Sequence, residues 1–168
     1  MHFLDKPGLT GVLSITKITS EGESSVFTGT IPHPFPGLNL IVNSAKQRLL
    51  SMVWNPVVVA DPVTHLRIGV GGTSDPQGLY VQQESVTQTS LNSPIPSLSN
   101  VSVAYSVSSD GLSVTFNATI DQSTGNGYVL SEAGLFTTSG AMFNVKNHPG
   151  IQKTADFSLQ YSWTIKLS

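Results

Sequence analysis

One run near the C-terminus constrains this chain more than any other: Asp156 to Ser168, DFSLQYSWTIKLS. Phe157, Leu159, Tyr161, Trp163, Ile165 and Leu167 occupy every second position, with Ser158, Gln160, Ser162, Thr164 and Lys166 between them. A period of two belongs to a strand with one buried face, here about 35 Å long. A bare strand of that length at a sheet edge would be a template for other chains, so other strands must flank it. The pattern predicts a mainly β protein, an antiparallel β-sandwich of jelly-roll-like kind, with this strand as the seam.

The rest of the chain supports that class. Leu9–Thr19 and Ser24–Ile31 read as two short strands across a Gly-containing turn, followed by the stiff loop Pro32-His33-Pro34-Phe35-Pro36-Gly37. One short helix is predicted near residues 43–54: Asn43 stands as its cap, Ala45, Leu49, Met52 and Val53 form an apolar face, and Asn55-Pro56 stops it. A single helix of about three turns cannot cover a large sheet and is expected to plug one end. Val57–Ala60 is a short apolar stretch, and His65–Val70 reads as a strand entering the loop Gly71–Pro76. Gln77–Asn100 has no regular pattern; so long a loop in a compact domain suggests binding. Val101–Val107 and Leu112–Ile120 then alternate around Asp110-Gly111, a hairpin, and Tyr128–Thr137 and Ala141–Val145 make a second around Ser139-Gly140. These later strands are expected to form one sheet, with the N-terminal strands as the facing layer. The organisation expected is N-terminal strands and a Pro-rich arm over 1–37, an assembly contact, and a β-sandwich domain over 38–168.

Charge is scarce. Charged residues make up 11% of the 168 and the net charge is -2, so Ser, Thr, Asn and Gln cover the surface. That suits a chain partly covered by partners. Eight scattered lysines and arginines make no basic stripe, and no direct nucleic-acid binding is expected. With no cysteine there are no disulfides or thiolate metal sites, and the redox compartment stays open. The opening MHFLDKPG lacks the basic and apolar regions of a signal peptide, and no run of 18 apolar residues exists to cross a membrane.

No constellation points to catalysis. Gly69-Val70-Gly71-Gly72 follows a strand but lacks the Lys-Ser/Thr of a phosphate loop, and Ser-Asp-Pro follows in place of a helix. His2, His33, His65 and His148 are dispersed, without metal-ligand spacing. Glu132, alone among uncharged neighbours in YVLSEAGLF, is the one plausible buried carboxylate; it has no partner for paired acid and base work. If buried, it must be bonded to backbone donors or to a cation. No Gly-x-Ser-x-Gly elbow is present, and the triplet Asn117-Ala118-Thr119 lies inside a predicted strand, a chance match to a glycosylation site. The expectation is a non-enzyme with no cofactor and no metal.

Four segments in order carry a resemblance: Asn39-Leu40-Ile41-Val42-Asn43 leading into the helix; Leu66–Pro76 with its Ile-Gly-Val-Gly-Gly-Thr core; Leu130-Ser131-Glu132-Ala133-Gly134-Leu135-Phe136; and Lys153-Thr154 before Trp163-Thr164-Ile165. Over residues 38–168 this layout resembles structural proteins of tailed bacteriophages, in tail-fibre, baseplate and other virion parts. The chain departs from it at Gly72, where a threonine would follow the second glycine. The resemblance implies a virion protein, with Asn39, Asn43, Gly69, Gly71, Glu132, Gly134, Phe136, Lys153 and Trp163 as structural or assembly residues. It also implies a homo-oligomer, a trimer being common in virions, among other proteins of capsid or tail. No repeat or coiled-coil shaft is present, against a long fibre. The leading expectation is a minor structural protein of the particle that contacts its neighbours through the Pro-rich arm and Gln77–Asn100. Capsid decoration at capsomer junctions is one alternative; a receptor- or glycan-binding module at the tail tip is the other, with Trp54, Tyr80 and Tyr128 as groove aromatics unless they fill core or interface.

Overall fold

The computed structural model describes residues 9–28, 40–54 and 60–167. β1 (Leu9–Thr19) and β2 (Gly22–Thr28) form a hairpin; β3 (Leu40–Ile41), α1 (Asn43–Trp54) and β4 (Val63–Gly69) follow. Beyond a long connection with one 3-10 turn at Pro96–Leu98 come β5 (Val101–Ser102), β6 (Ala104–Val107), β7 (Ser113–Ile120), β8 (Val129–Thr137), β9 (Met142–Gln152) and β10 (Ser158–Leu167). They build two five-stranded antiparallel sheets in the orders β2-β1-β10-β7-β6 and β3-β9-β8-β4-β5. The fold is a β-sandwich.

β10 is the middle strand of the first sheet, as its alternation requires. Leu159, Tyr161, Trp163 and Ile165 are buried, and Tyr161 and Trp163 meet Leu66 and Leu135 of the second sheet across the interior. Burying each such side chain stabilises by about 1.5–3 kcal/mol, so β10 alone is a main source of cohesion. Leu13 and Ile15 of β1 stand beside Trp163 and Tyr161, and Phe116 and Ala118 of β7 flank them on the other side. The boundary expected at residue 37 therefore does not separate the described strands, because β1 is bonded along the length of β10.

The expected single sheet from the later strands is corrected. β7 and β10 lie in one layer while β8 and β9 lie in the other, and β1 and β2 share the layer of β10. Alternation tells a strand which of its faces is buried; it does not tell it which of two layers to join. The expected strand Val101–Val107 also divides. Val103 donates its N–H to Thr64 O at 3.2 Å, and the chain crosses between sheets there, with β5 on β4 and β6 on β7. β9 runs on to Gln152, past its expected end at Val145.

α1 occupies its predicted span with a different cap and face. The Val42 carbonyl accepts the first N–H bonds, from Ala45 and Lys46, so Asn43 is the first helical residue and not the cap. Ala45 is buried, whereas Leu49 and Met52 are exposed; the Val53 side chain lies outside the described residues. The helix lies against β9, with Ser44 Oγ donating to Met142 O at 3.3 Å. The Pro-rich loop 32–37 and residues 57–59 of the short apolar stretch lie outside the described residues.

The patternless segment is a third layer. From Val70 it passes over the outer face of the second sheet and returns along the free edge of β4, where Val70 N–H donates to Ser93 O and Ile95 N–H to Ile68 O. Leu91, Ile95 and Leu98 are buried in it. β8 is thus covered on both faces, and its sequence lacks alternation for that reason.

Candidate functional site

Glu132 sits on β8 facing outward into this third layer, fully buried. Its Oε1 accepts N–H bonds from Ser93 at 2.7 Å and Gly71 at 3.2 Å, and its Oε2 accepts one from Asn92 at 2.9 Å. Of the two partners expected for a buried Glu132, backbone donors or a cation, the structure supplies backbone donors. Such bonds to an ionised acceptor are stronger than neutral ones and compensate the loss of water around the charge.

The glycines are what let the backbone come so close. A Cβ on Gly69 would lie 2.3 Å from Glu132 Oε1, and one on Gly72 would lie 1.8 Å from Ser131 O. Gly72 N–H is meanwhile taken by Ser131 Oγ at 3.0 Å. A glycine turn after a strand does here what such turns do for phosphates, since it aims amides at an anion, and the anion is the chain's own Glu132. Gly69, Gly71 and Glu132, some sixty positions apart, are thereby brought together in one latch.

A second tether fixes the same layer to β9. Glu84 Oε1 accepts from Lys146 Nζ at 3.1 Å and from Asn147 N–H at 2.7 Å, while Asn147 Nδ2 donates to Gln82 O at 3.0 Å. Gly150 N–H donates to Gly78 O at 2.7 Å, and the Val86 carbonyl accepts the N–H of Asn43 at the start of α1. Sequence reasoning missed Glu84, Lys146, Asn92, Ser93 and Ser131. The one available signal was that a lone carboxylate in an apolar strand demands donors, and glycines offer bare amides.

The other expected residues are placed as follows. Gly134 lies on the outer face of β8, where a Cβ would lie 3.3 Å from Leu91. Phe136 is buried under the Arg67 guanidinium, 4.2 Å from its ring centre, in a cation–π contact. Trp163 is in the sandwich interior. Lys153 is buried at the far end of β8 and β9 and donates to Gln122 O, Asn126 Oδ1 and Thr154 O. Burial lowers its pKa, opposed by the charges of Asp121 and Asp156. These four are structural in position and are not surface contacts. Asn39 lies outside the described residues. Tyr80 and Tyr128 are exposed and fill no core in the single chain; the Trp54 side chain lies outside the described residues.

A furrow of about 610 Å³ runs between α1 and the second sheet, lined by Ala45, Leu49, Met52, Val63 and Phe143. Its rim carries Arg48 bonded to Asp61, which also accepts the Ser139 N–H and hydroxyl. None of the described motif residues lines it. Among the described residues no cluster of His, Asp and Glu is arranged to hold a metal, and no helix is long and apolar enough to cross a membrane. Comparison with known proteins finds no family model, no curated protein and no solved structure that matches this chain.

Proposed function

We propose that this chain is a non-enzymatic structural protein of a tailed phage particle, a virion component that assembles with copies of itself and with capsid or tail proteins. One observation carries the reading: Gly69, Gly71 and Glu132, three of the residues on which the resemblance rests, serve to hold one stretch of backbone against another. Glu132, the residue best suited to chemistry, has both oxygens occupied by amides of its own chain. The low charge of the chain is consistent with a surface designed for neighbours. Within this reading capsid decoration is the copy-rich variant, with hundreds of copies per particle.

A second reading, a glycan- or receptor-binding module at the tail tip, is favoured by the exposure of Tyr80 and Tyr128, aromatics of the kind on which sugar rings stack. Quantitative peptide mass spectrometry of purified particles, with reconstruction of their images, separates these readings. The structural reading expects the chain in washed particles at fixed stoichiometry. A few copies at the tail tip would favour glycan binding, and absence from particles would overturn both.

A further inference from the structure

Among the described residues the two open sheets have four edge strands, β2, β3, β5 and β6, and two of them carry a visible defence. β2 carries Glu23 and faces β1 across a bulge at Ile15/Thr16, while β5 is two residues long. Charge, bulges and brevity are the usual defences against unwanted pairing. β6, Ala104–Val107, is twice as long as β5 and holds no charge and no proline, and all four residues are exposed.

Its side chains are also in the wrong place for water. The inner-face row that begins at Leu13 and passes through Trp163 and Phe116 ends at Tyr105; the next row, from Ile165 through Val114, ends at Val107. Leu13 and Trp163 are fully buried, but Tyr105 is 70% and Val107 58% exposed. The first sheet overhangs the second, and its core face continues past the cover, with Leu112 exposed beside it.

The backbone completes the description. Ser108 N–H donates to Ser113 O, so the bonded pairs between β6 and β7 step back by two through Ser106/Thr115 to Ala104/Asn117. Tyr105 and Val107 therefore turn their N–H and C=O groups away from β7. We propose that β6 pairs with β6 of a second copy of this chain, antiparallel about a two-fold axis through Ser106.

That register sets Tyr105 opposite the second copy's Val107 and uses all four outward groups of each strand. It joins two five-stranded sheets into one continuous sheet and places the two apolar overhangs side by side. A strand without charge meets its own copy without repulsion, which argues for a second copy and not a charged partner. The inference rests on the reading of the chain as self-assembling, and it replaces the three-fold symmetry implied by resemblance with a two-fold.

The test uses the full chain. Light scattering after size exclusion at tens of micromolar is expected to give a dimer, and Val107→Lys to weaken it at least tenfold with an unchanged circular dichroism spectrum. Leu79→Lys, on another exposed apolar residue, is expected to leave the dimer intact. Because the chain has no cysteine, Ser106→Cys introduces a single thiol that faces its copy across the axis at about 4.5 Å between Cα atoms, within disulfide reach. Oxidation is expected to give a covalent dimer for Ser106→Cys and none for Thr119→Cys, on the open outer face. A monomer at every concentration, a trimer, or a dimer lost in Leu50→Lys but not in Val107→Lys overturns the pairing. The particle reading fails separately, by absence of the chain from particles.

Discussion

The phenol oxygen of Tyr161 and the indole nitrogen of Trp163 are buried without a hydrogen-bond partner among the described residues. Alternation in the sequence sends both rings inward; it says nothing of whether their polar atoms find partners there. Burial alone raises the Tyr161 phenol above its ordinary range. An unpartnered buried hydroxyl costs about 1–3 kcal/mol, so Tyr161→Phe is expected to be neutral or to stabilise by up to about 1 kcal/mol in urea unfolding.

His148 presents the converse case, a titratable ring closed between Phe27 and Tyr161. Its pKa is pushed down from 6.5 to about 4, by burial first; the Pro149 carbonyl opposes the shift and the charge of Lys146 adds to it. As pH falls through 6.5 the unfolded chain takes up this proton and the folded chain resists until about 4. The contribution is complete above 6.5 and is lost in that window, by about 3 kcal/mol. Denaturant midpoints for wild type and His148→Phe are expected to diverge between pH 7 and 4, with the variant the flatter of the two.

At the scale of elements, the third layer matters most. Its backbone bonds to Glu132 stand in for the ladder that a strand would provide, which is why a segment without periodicity can be ordered. Glu132→Gln turns an amide nitrogen toward donors that need an acceptor, and is expected to cost about 2–3 kcal/mol. Hydrogen exchange reads the effect directly: the amides of Gly71, Asn92 and Ser93 are expected to be protected like those of β8 in the wild type and to exchange much faster in the variant. α1 is an instructive contrast. Its span was legible from spacing and the Asn-Pro stop, but its buried face was not, because the neighbour it packs against is β9, about a hundred residues away.

For the whole molecule the order of strands decides cooperativity. β10, last in the chain, is bonded along its length to β1, the first described strand, so the sheet closes only when both ends are present. Deleting residues 1–28 is expected to abolish the cooperative thermal transition and expose Tyr161 and Trp163 to water, seen as a red-shifted tryptophan emission. A folded, soluble product would show that the remaining strands stand without β1.

The sequence by itself determined the class of fold, the spans of most strands and of the helix, the two tight hairpins, and the need of Glu132 for donors. Each follows from neighbours a few residues apart, through side-chain period, turn chemistry and the cost of an unpaired charge. The tertiary structure alone decided which strands share a layer, that Gly69–Gly72 closes on Glu132, and that β6 is an edge strand among the described residues. Those are pairings between distant segments, and the local pattern of each segment is equally compatible with several partners; packing of the whole chain selects among them.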